Sequence, residues 1–349
     1  MRVLTREELT AALAARQHLI ERARLDPADA IRRLTPLQGQ HPPSPHIALA
    51  ARLQDFTQAD LERAIDDRRV LKCTIMRMTL HVAAADDFPA YAQLCRHARM
   101  RTLRKRFPDL DEERVKADLT EFLDERPRTN VEIRERLQRH DGAPQDPNMP
   151  LLYARTLLPL TFLPPAGHWR DTTRRARFVV DPRPLPDPED AGALVLTRYL
   201  AAFGPASKRD AAAWAGVAQR DFPWHRVETV SYRDEHGVEL LDLPGRPLPP
   251  KDTKLPPRFL GHWDQPLLAY ADRDRIIPPE LKPLQLTLSG DTTLTIDGRV
   301  AASWKMDGPK LIIQPHTDFP RTDELLEEAR RTARFCAPEH DRHEIAWST

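Results

Sequence analysis

Gln38 and Gln40 stand one residue apart in the run Gln38-Gly39-Gln40-His41-Pro42-Pro43, just after Pro36 interrupts a helical pattern. An amide does not titrate near neutral pH, so neither glutamine can take up a proton as a carboxylate base does. The pair can hold and orient a water through carbonyl acceptors and amide donors, and set carbonyl dipoles beside a developing positive charge. The alternative is that both satisfy backbone groups of a proline-rich loop. Other polar residues are less suggestive. His41 and His46 lie five apart across three prolines, a poor metal-ligand spacing. Asp66-Asp67 and Asp86-Asp87 are adjacent pairs whose side chains diverge, unlike carboxylates that share a proton. His81 ends a strand-like run and reads as a satisfied, partly buried histidine. Cys73, Cys95 and Cys336 are far apart and odd in number, giving neither a disulfide framework nor a metal-binding pair. No HExxH, GxSxG, phosphate-loop or GxGxxG pattern occurs, so no metal and no nucleotide cofactor is implied.

The elements that must position this loop can be read on both sides of it. Thr5 and Glu8 form a capping box ahead of Leu9, Leu13, Gln17 and Ile20. Asp26-Pro27 starts a second helix carrying Ile31 and Leu34, Thr57 caps a third through Ile65, and Val70 to Val82 alternates like paired strands. Three helices followed by a hairpin is the winged-helix order. It recurs over residues 111–139, with a break at Arg126-Pro127-Arg128, then a helix around Leu151 to Leu158 and strands at Leu160 to Leu163 and Arg177 to Val180. A third copy starts at Asp187, and its second helix runs from Gly204-Pro205-Ala206-Ser207 to Ala215-Gly216. After the proline clusters at 182–188 and 244–257, Phe259 to Arg275 and Leu284 to Ile313 are rich in alternating apolar residues. Asp297-Gly298 there is a hairpin signal, and a helix spans about Thr322 to Phe335. The expected fold is α+β and mainly helical: three tandem winged-helix units over 1–105, 106–185 and 186–250, with a small β-rich C-terminal domain over 251–349.

The chain has 349 residues, 40% of them hydrophobic, and 53 Lys plus Arg against 52 Asp plus Glu. No apolar stretch approaches the roughly 18 residues of a membrane span, and the charged start MRVLTREEL lacks a signal-peptide core, so a cytoplasmic protein is expected. Only nine of the cations are Lys, and Arg is the side chain whose planar fork suits phosphates and base edges. Charge is segregated. Arg96, Arg99, Arg101, Arg104, Lys105 and Arg106 fall in one acid-free run with His97, and Pro108 to Glu125 then holds eight acids and two cations. The basic run either tracks a phosphate backbone or pairs with the acids that follow it. Arg170, Arg174, Arg175 and Arg177 in the second wing carry the same ambiguity.

The run Leu34-Thr35-Pro36-Leu37-Gln38-Gly39-Gln40, continuing through Pro42-Pro43-Ser44-Pro45 to Ala48-Leu49-Ala50-Ala51-Arg52-Leu53, resembles the signature of the winged-helix DNA-binding family typified by the AlkZ and AlkX (YcaQ) DNA glycosylases. Ala15 to Leu19, Met76 to His81, Gly204-Pro205-Ala206, Asp264 to Leu268, Asp272 to Arg275 and Asp297 to Ala301 with Trp304 resemble it in the same order. Two glutamines place the chain nearer the AlkZ branch, with its Q-x-Q motif. Two departures stand out: Met78 where the wing usually has glycine, and His41 where an acid often follows the second glutamine.

The resemblance implies a monofunctional DNA glycosylase that leaves an abasic site, with Gln38 and Gln40 catalytic and water as nucleophile. Such a site suits a leaving group that departs readily, which points to cationic N7- or N3-alkylated purines, bulky adducts or interstrand crosslinks. It further implies DNA contacts by Arg77, Thr79 and His81 in the first wing, by Arg96, Arg99, Arg101, Arg104 and Lys105, and by a groove-entering hairpin at Asp297-Gly298-Arg299 with Lys305. The partner is double-stranded DNA, the protein a nucleoid-associated monomer. Two rivals remain: a non-catalytic winged-helix transcription regulator, and a protein-interaction module.

Overall fold

Proline at the start of a helix removes an N–H that has no helical partner, so proline-rich runs can begin helices as well as break them. Both behaviours occur in the first segment. In the computed structural model, which describes residues 1–144, 146, 149–171, 176–284, 287 and 290–348, α1 (Arg6–Arg16) begins at the Thr5–Glu8 capping box and α2 (Pro27–Leu34) at Asp26. β1 (Leu37–Gln38) follows, and Pro43–Ala50 then forms α3, a helix that the proline content conceals. The segment continues with α4 (Gln58–Asp66), β2 (Val70–Thr74), β3 (Leu80–Ala84) and the long α5 (Phe88–Arg106). Four helices therefore precede the hairpin, one more than expected. Ile31, Leu34, Leu37, Leu49, Leu61 and Val82 share its core.

The second segment holds α6 (Glu112–Glu125), β4 (Arg128–Thr129), α7 (Asn130–Leu137), α8 (Met149–Leu157), β5 (Leu160–Phe162) and β6 (Arg177–Val180). Its strands are continuous with those of the first in one six-stranded sheet of order β1-β3-β2-β5-β6-β4. The seam is tied by Arg68, which donates to the Phe162 carbonyl (2.6 Å) and the Thr161 hydroxyl (2.7 Å). Lys72 and Asp171 add an enclosed ion pair at 2.5 Å.

In the third segment, α9 (Pro188–Phe203) and α10 (Lys208–Ala215) meet a ribbon of β7 (Val230–Arg233) and β8 (Glu239–Asp242). Gly216 caps α10 in the left-handed conformation at φ +70°, as a helix C-terminus commonly requires. The chain start docks here. The Leu4 N–H donates to the Arg233 carbonyl (2.8 Å), and Arg16 forks onto Asp242 at 2.8 and 2.7 Å, so α1 is attached to the third segment rather than to its own.

The remainder comprises β9 (Arg258–Leu260), α11 (Gln265–Leu268), β10 (Thr293–Ile296), β11 (Arg299–Asp307), β12 (Lys310–Pro315), α12 (Asp323–Cys336) and β13 (Glu344–Trp347). The sheet runs β13-β12-β11-β10-β9, and α12 lays Leu325, Ala329 and Ala333 on its apolar face. Asp297 and Gly298 turn the β10–β11 hairpin with positive φ at both positions, +48° and +74°. Among the described residues no helix is long and apolar enough to cross a membrane.

Candidate functional site

β1 is the edge strand of the six-stranded sheet, so the loop leaving it is open on one side. Leu37 is buried in the first core, worth about 2 kcal/mol, and this holds β1 in register with β3, Gln38 opposite His81. The Gln38 side chain is enclosed. Its Nε2 donates to the Thr79 hydroxyl (3.1 Å) and its Oε1 accepts from the Gly39 N–H (3.0 Å), leaving one lone pair. Thr79 passes the restraint on by donating to the Met76 carbonyl (3.2 Å). Gln40 faces solvent. Its Oε1 lies 3.4 Å from the Leu80 N–H, and its Nε2 has no partner among the described residues. One amide is thus locked and the other anchored only by its oxygen.

His81 supports this arrangement from within. A carbonyl only accepts, so the imidazole Nδ1 at 3.0 Å from the Thr79 carbonyl carries the hydrogen. Burial pushes its pKa down to about 3, helped by the charge of Arg77, so at neutral pH it is an uncharged prop and not an acid or base for chemistry.

His41, the residue after Gln40, lines a cleft of about 720 Å³ whose described lining includes neither glutamine. His41 packs edge-on against His262 with ring centroids 4.5 Å apart, and burial, then His262, hold its pKa below the usual imidazole value. Trp169 and Trp304 supply indole walls, Lys305 a cation, and Asp291 the one carboxylate among the described lining residues. Ser303 also lines it, hydrogen-bonded to His316. His262, Trp169 and Asp291 come from separate loops, and nothing in their spacing marks them in the sequence. The C-terminal domain is pinned against the loop by Arg52, which donates to Asp264 at 2.5 and 3.1 Å with both side chains fully enclosed. Backbone strain gathers here as well: Thr35, Arg77, Met78 and Trp263 hold positive φ of +73°, +50°, +62° and +52°.

The structure distributes the other candidate residues unevenly. Thr79 lies at the site and Lys305 on the cleft wall. His81 is enclosed and cannot touch a strand directly; the inward face of β3 makes it a support for Thr79. Arg77 turns inward, giving Nη1 to the Trp214 carbonyl. The basic run is largely paired: Glu112 takes Arg96 and Arg104, Asp221 takes Arg101, and the Ile75 carbonyl takes Arg99, while Lys105 is exposed. The Asp297-Gly298-Arg299 turn does not project either. A Cβ at Gly298 would lie 2.6 Å from Leu255 and 2.7 Å from Thr10, and Arg299 donates to the Asp274 carbonyl (3.2 Å). By contrast the Asp307-Gly308-Pro309 turn between β11 and β12 is open: a Cβ at Gly308 would meet nothing within 4 Å, as is also true at Gly237 and Gly245. Arg174 and Arg175 lie outside the described residues.

A family profile described as DNA glycosylase AlkZ-like matches residues 31–335. The chain belongs to that family. Within the AlkZ-like DNA glycosylases, it is 27% identical over 167 residues to a Streptomyces sahachiroi protein described as an interstrand DNA cross-link repair glycosylase, a match spanning 44% of this chain and 44% of that protein. The solved structure of the Streptomyces sahachiroi DNA glycosylase AlkZ shares the fold, with a TM-score of 0.79 over 100% of both chains at 19% identity.

Met78, one of the departures from the AlkZ-like pattern, and the enclosed histidines His46 and His81 have physical consequences. Met78 sits at left-handed φ, where glycine carries no Cβ penalty, so Met78→Gly is expected to raise stability by about 0.5–1 kcal/mol in urea unfolding, and a destabilised variant would contradict the strain assignment. The enclosed histidines set an acid limit. His46, pushed by burial to about 4, and His81, at about 3, stay neutral in the native protein, while the unfolded chain binds their protons below about pH 6.5. Stability present above that pH is therefore lost toward acid, each histidine costing about 1.4 kcal/mol between about pH 7.5 and 5.5. A His81→Phe variant should lose that much less over the same interval, measured by urea unfolding at both pH values.

Proposed function

We propose that the protein is a monofunctional DNA glycosylase that hydrolyses the N-glycosidic bond of cationic alkylated purines, bulky N7 or N3 adducts and crosslinks included. The observation that carries this reading is the pair of amides on the edge strand and in the loop that leaves it, Gln38 locked on Thr79 and Gln40 with no partner for its Nε2 among the described residues. Neither can deliver a proton, so the leaving group must depart unaided. A purine alkylated at N7 or N3 does so, because its ring already bears positive charge and takes the C1′–N9 electron pair to leave neutral. Gln40 Nε2 holds the water oxygen and the remaining lone pair of Gln38 Oε1 accepts one of its hydrogens. The water then bonds to C1′ and loses a proton to solvent, with the amide dipoles facing the sugar cation.

The relative's description as an interstrand cross-link repair glycosylase favours large adducts. In this reading the segments 1–105, 106–185 and 186–250 act as three winged-helix units, the domain over 251–349 closes them, and three unlike units in one chain serve as a monomer. Thr79, Lys305 and Lys105 contact the duplex, Arg77 and His81 act through Thr79, and the paired arginines of α5 and Arg299 contribute the positive field around it. The test incubates the protein with duplex containing N7-methylguanine and, separately, a bulkier N7 adduct, and follows free base. Release that depends on both glutamines supports the enzyme. No release from either, together with tight binding to one sequence, would favour the regulator.

A further inference from the structure

Gln265 opens α11 and is 1% exposed, and both ends of its amide are bonded. Its Nε2 donates to the Pro36 carbonyl (2.5 Å), two residues before Gln38, and its Oε1 accepts from the Trp214 indole Nε1 (3.3 Å). The Trp214 carbonyl accepts from Arg77, and Arg77 lies in the turn whose Thr79 hydroxyl receives the Gln38 amide. The bonds close a ring through Pro36, Gln265, Trp214, Arg77, Thr79 and Gln38. It draws on three parts of the chain: the Q-x-Q loop and first wing, α10 of the third segment, and the C-terminal domain. The Arg77 backbone is itself seated, since a Cβ at Gly216 would lie 3.0 Å from both its Cα and its N.

We propose that Gln265 and Arg77 are positioning residues, which fix the Q-x-Q loop from opposite ends of this ring so that Gln38 meets the sugar at the correct distance. The proposal rests on the base-excision reading. Gln265 grips the main chain entering the loop, and Arg77 fixes the turn that grips the Gln38 side chain. A displacement of about 1 Å in such a group costs up to about 100-fold in rate, with little effect on how the rest of the duplex is held. The ring also explains why the third segment and the C-terminal domain are needed at a site whose chemical groups all come from the first.

Gln265→Met keeps the length of the side chain and removes both bonds. Gln265→Glu keeps the acceptor for Trp214 but faces the Pro36 carbonyl with a second acceptor until the carboxyl is protonated, when it becomes a donor again. Single-turnover release of N7-methylguanine should fall about 10-fold or more in Gln265→Met and be flat between about pH 8 and 6. In Gln265→Glu it should be low at the upper pH and recover toward the lower one, a rescue that overall loosening would not produce. The Kd for lesion duplex should stay within about threefold of wild type in both. Arg77→Met opens the ring from its partly exposed side and decides the matter if the Gln265 variants do not fold: its release rate should fall with circular dichroism unchanged. Wild-type rates in the folded variants, or losses that only follow duplex affinity or folded fraction, would overturn the positioning role. If wild type itself releases no base, the base-excision reading fails, and this one with it.

Discussion

Gln40→Ala is expected to release N7-methylguanine at least about 100-fold more slowly than wild type in a single turnover while keeping its urea-unfolding midpoint; Gln38→Ala should lose a similar factor and about 1–3 kcal/mol of stability as well. The difference follows from their surroundings. Gln40 is exposed, and its one hydrogen bond to the protein is long, so truncating it leaves little unsatisfied. Gln38 is enclosed, and its removal takes the donor from the Thr79 hydroxyl and empties the space its side chain fills, while the Gly39 N–H keeps its bond to the Leu80 carbonyl (2.8 Å). The rate losses arise from a shared cause, an attacking water that is no longer held, and so the double variant should be little slower than the singles. Comparing rapid-quench rates with unfolding midpoints separates the two effects. Rates within threefold of wild type in both single variants would remove the glutamines from the chemistry.

The second large effect concerns stability. Asp264→Ala leaves the Arg52 guanidinium charged and unpaired inside the protein, which is expected to cost about 3–5 kcal/mol. The pair itself is not credited with that amount, since desolvating two charges offsets most of their attraction. Arg52→Met combined with Asp264→Leu should accordingly recover most of the loss. Urea unfolding at neutral pH measures both. A cost below about 1 kcal/mol for the single variant would show that water reaches Arg52 once the carboxylate is gone. Because the pair joins the end of α3 to the start of α11, base release by Asp264→Ala should also fall more than its folded fraction does.

Local elements were legible where backbone chemistry is local. The Thr5–Glu8 capping box, the Asp297-Gly298 turn, the left-handed Gly216 and the paired strands β5 and β6 can each be read from a few neighbouring residues, and the structure forms them there. The AlkZ-like family was legible too, from several short runs spread in order along the chain, Gln38-Gly39-Gln40 among them. What stayed hidden is set by contacts between distant parts of the chain. Proline content disguised α3, because the same residue starts a helix or stops one according to its position. The arginines of α5 read equally well as phosphate ligands and as partners for acids, and Asp221, which takes Arg101, lies 120 residues away. The pairing of His41 with His262 and the bonds of Gln265 depend on how the C-terminal domain seats against the first segment, for which no residue spacing is a guide.

The pairing of β2 with β5 makes the first two segments one twisted surface. Arg68 and the Lys72–Asp171 pair tie that seam further, so under the proposed function the two segments would meet a duplex as one unit. Under the proposed function, the bending needed to bring a damaged base to Gln40 would fall to the duplex, whose pliancy varies from step to step. Lesions flanked by soft pyrimidine–purine steps should be removed faster than the same lesion within a stiff A-tract, a sequence preference arising where no side chain reads a base.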